Sequence, residues 1–257
     1  MIELNKIYNE DCLEGMKRIP DGSVDMVLCD LPYGSTNCIW DIVIPFEVLW
    51  QQWLRVCKEN AAIVLFGSEP FSSRLRLSNL KMYKYDWVWD KRTCSGFLNA
   101  KKQPLRSNEL ISVFYKKQCT YNPQMSHDRK KREFLLSKAT GSEIYNKIHP
   151  KERHYKKDQL AYPKSILQFT GVVNNSKEKC GHPTQKPVDL CEYLIKTYTN
   201  EGETVLDACM GSGTTAVACV NTGRNFIGFE LDENYWQISQ QRVSGARQQL
   251  NDSTIND

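Results

Sequence analysis

The sequence predicts an α/β protein with a doubly wound, mostly parallel sheet, and three observations carry that expectation. Short apolar runs at 24–29 and 61–66 read as strands, the second as one buried on both faces because it is continuous rather than alternating. Between them Phe46, Leu49, Trp50, Trp53, Leu54 and Cys57 recur at the spacing of one helical face. In the last quarter of the chain a strand-like run, a turn with two glycines, a helical run and another strand follow one another.

Taken in order, the first strand is expected at 6–8. The second, 24–29, runs straight into Asp30, Leu31, Pro32, Tyr33 and Gly34, which places those residues in a loop at its carboxyl end. Pro45, in the first turn, opens a helix over 45–57. Gly67 closes the strand at 61–66, and further strands are expected at 85–89 and 110–115. From 117 to 168 the periodicity decays into polar, basic and aromatic residues, including His127, Asp128, Arg129, Lys130, Lys131 and Arg132, so this stretch reads as an insertion or a small module. Regularity returns at Pro187, which opens a helix carrying Leu190, Cys191, Leu194, Ile195 and Tyr198. A strand at 204–206, the glycine turn, a helix to Val220 stopped by Gly223, a strand at 226–229 and a polar last helix complete the pattern, with a frayed tail at 248–257.

Composition narrows the class. The chain has 257 residues, 40% of them hydrophobic, enough for one large core or a core with a small inserted domain. The N-terminus has no basic stretch leading into an apolar run, and no window reaches the roughly 18 apolar residues of a membrane span, so a cytoplasmic protein without membrane contact is expected. Ten cysteines are scattered without a Cys-x-x-Cys pair, and Cys29, Cys57, Cys209 and Cys219 lie in apolar runs, as reduced core thiols do. Cys180, His182 and Cys191 fit no usual metal spacing, and no metal is expected. From 91 to 181 there are 20 Lys and Arg against 7 Asp and Glu, whereas the remainder holds 14 against 23. The basic middle is interleaved with Phe97, Tyr115, Tyr121, Phe134, Tyr145, Tyr155 and Tyr162, a mixture suited to phosphate neutralisation and base stacking as well as to a solvated basic face.

The glycine turn is Asp207-Ala208-Cys209-Met210-Gly211-Ser212-Gly213-Thr214. Its glycines let backbone approach a ligand, and the following helix offers free amides and a positive dipole end; a tight structural turn is the plainer alternative. Glu230 ends the next strand, where a carboxylate can accept both ribose hydroxyls of an adenosine cofactor. The spacing is similar to the Asp-x-x-x-Gly-x-Gly-Thr loop of methyltransferases, in which the cofactor is S-adenosylmethionine. Ala216 takes the last position of Gly-x-Gly-x-x-Gly, which weakens a dinucleotide-dependent oxidoreductase reading.

Asp30-Leu31-Pro32-Tyr33 resembles the (Asp/Asn/Ser)-Pro-Pro-(Tyr/Phe) tetrad of amino-methyltransferases, although Asp, Pro and Gly are also ordinary turn residues. An exocyclic amine is a poor nucleophile because its lone pair is delocalised into the ring, and hydrogen bonds from it to acceptors favour a pyramidal nitrogen. Asp30 can supply one acceptor and stabilise the charge that develops on nitrogen. In this family the second acceptor is the main-chain carbonyl of the second residue, which Leu31 keeps, while Pro32 acts through geometry. Tyr33 offers a face for a base turned out of the duplex.

Two further segments extend the resemblance. Gly181-His182-Pro183-Thr184-Gln185-Lys186-Pro187 resembles the family's His-Pro-(Thr/Ala)-Gln-Lys-Pro motif, whose polar groups hold the methionine end of the cofactor; Thr184 and Lys186 can reach a carboxylate. Asn9-Glu10-Asp11-Cys12 resembles the site for the cofactor adenine, with Asp11 accepting from its amino group; Asp11 as an N-cap for a helix over 12–18 is an equal alternative.

The order of the motifs is that of the circularly permuted beta class of S-adenosylmethionine-dependent DNA amino-methyltransferases. The resemblance covers nearly the whole chain and implies a seven-stranded, Rossmann-like sheet. It divides the chain into a catalytic half at 1–117, a target-recognition insertion at 118–168 and a cofactor half at 169–257. It also implies that 87–108 lies near the DNA, with aromatics that otherwise support the fold. The implied cofactor is S-adenosylmethionine, bound by Asp11, His182, Thr184, Gln185, Lys186, Asp207, Gly211, Gly213, Thr214 and Glu230. The implied partner is double-stranded DNA, with a homodimer and a restriction-modification setting both compatible. Asp in the first tetrad position favours N6 of adenine over the rival N4 of cytosine. A C5-cytosine enzyme is disfavoured because no cysteine follows a proline. An inactive DNA-binding protein would not need Asp30, Tyr33, Gly211, Gly213 and Glu230 together.

Overall fold

Residues 2–34, 41–126 and 160–255 are described by the computed structural model, and the chain divides into two units. The larger, Met1–Asn122 with Ser165–Asp257, is built on one sheet. Its strands are β1 (Lys6–Tyr8), β2 (Val24–Cys29), β3 (Cys57–Gly67), β4 (Tyr83–Ser95), β5 (Arg106–Phe114), β6 (Ile166–Gln168), β7 (Thr204–Asp207) and β8 (Asn225–Phe229), in the spatial order β1-β8-β7-β2-β3-β5-β4-β6. Only β5 runs against the others, so the mostly parallel, doubly wound expectation holds. The sheet carries eight strands rather than seven. The extra one, β6, lies in residues the sequence assigned to the insertion, yet it pairs in parallel with Val88–Asp90 of β4 and buries Leu167 in the core.

Helices cover both faces, and the strand side chains divide between them by their period of two. Met26 and Leu28 of β2 with Ala62, Val64 and Phe66 of β3 pack against α4 (Val188–Tyr198), α5 (Thr214–Asn221) and α6 (Glu233–Ile255). Val27, Cys29, Ile63 and Leu65 face the opposite layer of α1 (Cys12–Met16), α2 (Phe46–Val56) and α3 (Phe71–Ser78). Burial on both faces explains why these strands read as continuous apolar runs. The helix expected over 45–57 ends at Val56, because Cys57 already begins β3, and Leu54 faces outward. Trp87 and Trp89 are core residues, their indole N–H groups donating to the Tyr198 hydroxyl at 2.6 Å and the Phe169 carbonyl at 2.8 Å; of the two readings of the 87–108 aromatics, fold support holds for these two. No helix among the described residues is long and apolar enough to cross a membrane.

The smaller unit spans Pro123–Lys164. Its described part holds one antiparallel bridge, in which Ser126 and Ala161 exchange N–H···O bonds of 3.0 and 2.7 Å. The basic run 127–132 and Phe134, Tyr145 and Tyr155 lie outside the described residues. The sequence boundaries at 118 and 168 shift inward for a local reason. Cys119 is buried in the core of the larger unit, and the Asn122 amide donates to the carbonyls of Lys196 and Thr199 at the end of α4.

Candidate active site at the carboxyl edge of the sheet

The order of winding brings the motif residues together. β2 lies between β7 and β3 with all three parallel, and the chain leaves β7 toward β8 on one side but β2 toward β3 on the other. A crevice forms at such a switch point, outside the carboxyl ends of the strands. Asp30 follows β2, Asp207 ends β7 and Glu230 follows β8, so three carboxylates from distant sequence line one edge.

At the β2 end both oxygens of Asp30 are engaged. Oδ1 accepts from the Tyr33 hydroxyl at 2.6 Å, and Oδ2 accepts from the Lys186 ammonium. The Tyr33 ring packs on Phe71, 4.8 Å between centroids, and Leu31 is buried. Lys186 has an 8% exposed side chain and also lies 3.5 Å from Glu109 Oε2 on β5. The other oxygen of Glu109 pairs with Lys91 at 3.2 Å. Burial pulls the Lys186 ammonium down, but Asp30 and Glu109 outweigh it and raise it above its ordinary value. Burial pushes the Asp30 carboxyl up, with Lys186 opposing. Glu109 is also pushed up by burial, yet Lys186 and Lys91 together hold it below the usual carboxylate range. Glu109 was not singled out from sequence. The signal was there: it is the only acid from 91 to 127, at the mouth of an apolar strand.

At the β7 and β8 ends, carboxylates hold backbone. Asp207 is buried, accepts from the Cys209 N–H at 3.0 Å, and is pushed by burial up to about 6, with the Thr215 hydroxyl opposing. Glu230 accepts from the Gly211 N–H at 2.7 Å through Oε2 and from the Asp232 N–H at 2.8 Å through Oε1; burial raises its carboxyl. Gly213 has φ +85°, and a Cβ there would meet Ser239 of α6 at 2.8 Å, so the turn needs glycine on both counts. Thr214 donates to the Lys186 carbonyl at 3.3 Å and accepts from Arg242 at 3.1 Å, which joins α5 to the loop that presents Lys186.

The remaining motif residues divide. His182 is buried against the Tyr235 ring, 4.3 Å between centroids, beside the space that a Cβ on Gly211 would enter. Burial first, then Lys186, Lys179 and Arg242, push the imidazole down to about 4. Thr184 is exposed. The Gln185 amide is spent within its own loop, accepting from the Cys180 N–H at 3.1 Å and donating to the Glu178 carbonyl at 2.8 Å. Asp11 is the N-cap of α1, its Oδ1 accepting from Leu13 and Glu14 amides at 2.7 and 3.2 Å. Beyond β4, Phe97 and Leu98 stand exposed on a 3-10 turn, and no acid lies between Asp90 and Glu109 while Arg92, Lys101, Lys102 and Arg106 do.

This edge can hold an adenosine-bearing ligand at one end and offer a carboxylate acceptor at the other. A family model described as DNA methylase, covering N6 and N4 enzymes, matches residues 24–241. The chain is 29% identical to the Type II methyltransferase M1.MboII of Moraxella bovis, over 91% of this chain and 95% of that protein. It is 28% identical to the DNA adenine methyltransferase YhdJ of Escherichia coli, over 95% and 84% respectively. Among solved structures, the M1.HpyAVI–SAM complex superposes with a TM-score of 0.62 at 25% identity, covering 93% of this chain and 98% of that one. A strand-end Asp-Leu-Pro-Tyr loop beside a glycine turn, on a doubly wound sheet that this model matches over most of its length, places the chain in the N6/N4 DNA methylase family.

Proposed function

We propose that this DNA amino-methyltransferase transfers a methyl group from S-adenosylmethionine to N6 of adenine, in a specific sequence of duplex DNA, with the base turned out of the helix. The observation that carries the reading is the half-buried Asp30 carboxylate, one strand from Asp207 and two from Glu230 on the same edge.

The residues present fit the cofactor. Glu230 is acceptor-only when ionised, and its two amide partners orient it while leaving lone pairs for a ribose diol. The Gly211–Gly213 turn, with two glycines at positive φ, lets backbone approach the same place without a side chain in the way. When bound, S-adenosylmethionine supplies an electrophilic sulfonium methyl group. Asp207 shapes the turn from beneath, and neutral His182 walls it. Lys186 serves the acceptor side, because its ammonium faces Asp30 and Glu109.

Asp30 accepts a hydrogen bond from the amine, which localises the nitrogen lone pair, and it stabilises the positive charge that grows as the C–N bond forms. Burial, which raises its carboxyl, also equips it to take the proton the nitrogen must lose. The Leu31 carbonyl is the second acceptor, and Tyr33, backed by Phe71 on one side, stacks the base with its other. The basic turn at 96–106 and the unit around 118–168 engage DNA. Asp in the first tetrad position and the likeness to YhdJ favour adenine; N4 of cytosine, the family's other acceptor, is the second reading. Digesting methylated duplex DNA to nucleosides separates them. N6-methyladenine is expected, and label found only in N4-methylcytosine overturns the adenine assignment.

A further inference from the structure

Both oxygens of Asp30 already have a partner, and the Lys186 ammonium is the stronger competitor with a base amine for the carboxylate, because it is charged. Tyr33 holds Oδ1 and Lys186 holds Oδ2. A buried ammonium cannot yield into empty space, since an unpaired buried charge costs several kcal/mol. The group next to it is Glu109. Its Oε2 lies 3.5 Å from Lys186 Nζ, is shielded from solvent, and accepts no hydrogen bond among the described residues. An unsatisfied buried carboxylate oxygen is costly and calls for an explanation.

We propose that Glu109 is a positioning residue, the second seat for the Lys186 ammonium, to which Lys186 moves when the substrate amine takes Oδ2 of Asp30. The inference rests on the methyltransferase reading above. A hydrogen-bonded Lys–Glu contact is about 2.8 Å, so the shift is under an ångström. It needs no backbone change, because Lys186 is anchored through its carbonyl to Thr214. It also needs no net charge. Asp30, Glu109, Lys186 and Lys91 form a neutral set of four; among the described residues Tyr33 also bonds to Asp30, and Asp207 and Cys191 lie near enough to feel its charge. β5 fixes the seat, because Glu109 pairs with Trp89 across the antiparallel ladder and Lys91 is two residues along on β4.

The test is steady-state transfer of labelled methyl from S-adenosylmethionine to unmethylated genomic DNA by wild type, Glu109→Gln and Glu109→Asp. Wild type comes first, and if it labels no DNA the methyltransferase reading itself fails, separately from this proposal. With Gln the seat is neutral and Lys186 stays on Asp30, so kcat should fall about tenfold or more with the KM for cofactor unchanged. Removing the Glu109 charge also lowers the Asp30 carboxyl, so the acid limb of the kcat profile should move to lower pH. Glu109→Asp, which keeps the charge, should recover part of the rate. Melting temperatures identify a variant that fails to fold, in which case the Asp variant's kcat and acid limb decide. A Gln variant with wild-type kcat overturns the proposal. So does a slow variant whose acid limb stays put and whose melting temperature drops, since that is a structural role only.

Discussion

The Tyr33 hydroxyl donates to Asp30 at 2.6 Å, so the tetrad's two side chains form one unit before any substrate arrives. The bond fixes the carboxylate plane and charges the cost of orientation to folding. Tyr33→Phe keeps the ring and its contact with Phe71 but frees Oδ1, and kcat should fall about 10–100-fold, the worth of one hydrogen bond to a charged group. Asp30→Ala should abolish transfer while cofactor affinity stays within a few-fold. Labelled-methyl assays with calorimetric titration of S-adenosylmethionine measure both, and an active Asp30→Ala protein would refute the assigned role.

Glu230 accepts amide hydrogens from both its own loop and the glycine turn, so it should bind cofactor and hold the turn at once. Glu230→Gln can keep one amide partner but presents a donor where the other N–H points. The dissociation constant for S-adenosylmethionine is expected to rise at least tenfold, with kcat at saturation reduced far less. Equal losses in kcat and kcat/KM at unchanged affinity would remove Glu230 from the cofactor site.

What sequence made legible follows from what is local. Both 24–29 and 61–66 read correctly as strands because their apolar runs are local, and in 61–66 burial on both faces is written in consecutive residues. The strand-end position of Asp30 and the turn at Gly211 and Gly213 were equally local. The partnership of Lys186 with Asp30 spans 156 positions and exists only because winding sets α4 over β2. Lys186 was therefore read toward the cofactor, and Glu109 was not read at all. Phe71–Ser78 went unnoticed because eight residues with three serines lack a clear apolar face, and β6 because three residues carry no periodicity. The Gln185 amide closes its own loop on Cys180 and Glu178, a pairing that motif order does not disclose.

Gly213 tests the turn by stability rather than activity. At φ +85° an alanine is strained, and its Cβ would press on Ser239 backbone and Cβ at 3.0 and 2.8 Å, atoms of a helix that cannot simply rotate away. Gly213→Ala should cost about 1–3 kcal/mol, a drop in melting temperature of roughly 3–10 °C. An unchanged melting temperature would mean that α6 shifts freely against the turn.

His182 should leave a pH signature in stability. Its imidazole is pushed down to about 4 in the folded chain against 6.5 ordinarily, by burial and by Lys186, Lys179 and Arg242, with Asp232 opposing. Between those values the unfolded chain binds a proton that the folded chain does not, so stability is full above pH 6.5 and is lost as pH falls toward 4. The loss approaches about 3 kcal/mol. Asp207, pushed up to about 6, acts in the opposite direction over much of the same window, so the wild-type curve alone hides the effect. Comparison with His182→Asn exposes it, because the variant keeps Asp207 and lacks the imidazole. The stability gap between wild type and variant, from urea denaturation at each pH, should be widest above pH 6.5 and narrow steadily toward pH 4. A gap independent of pH would mean that the folded imidazole titrates normally, and the tight wall between Gly211 and Tyr235 would then have to open to water.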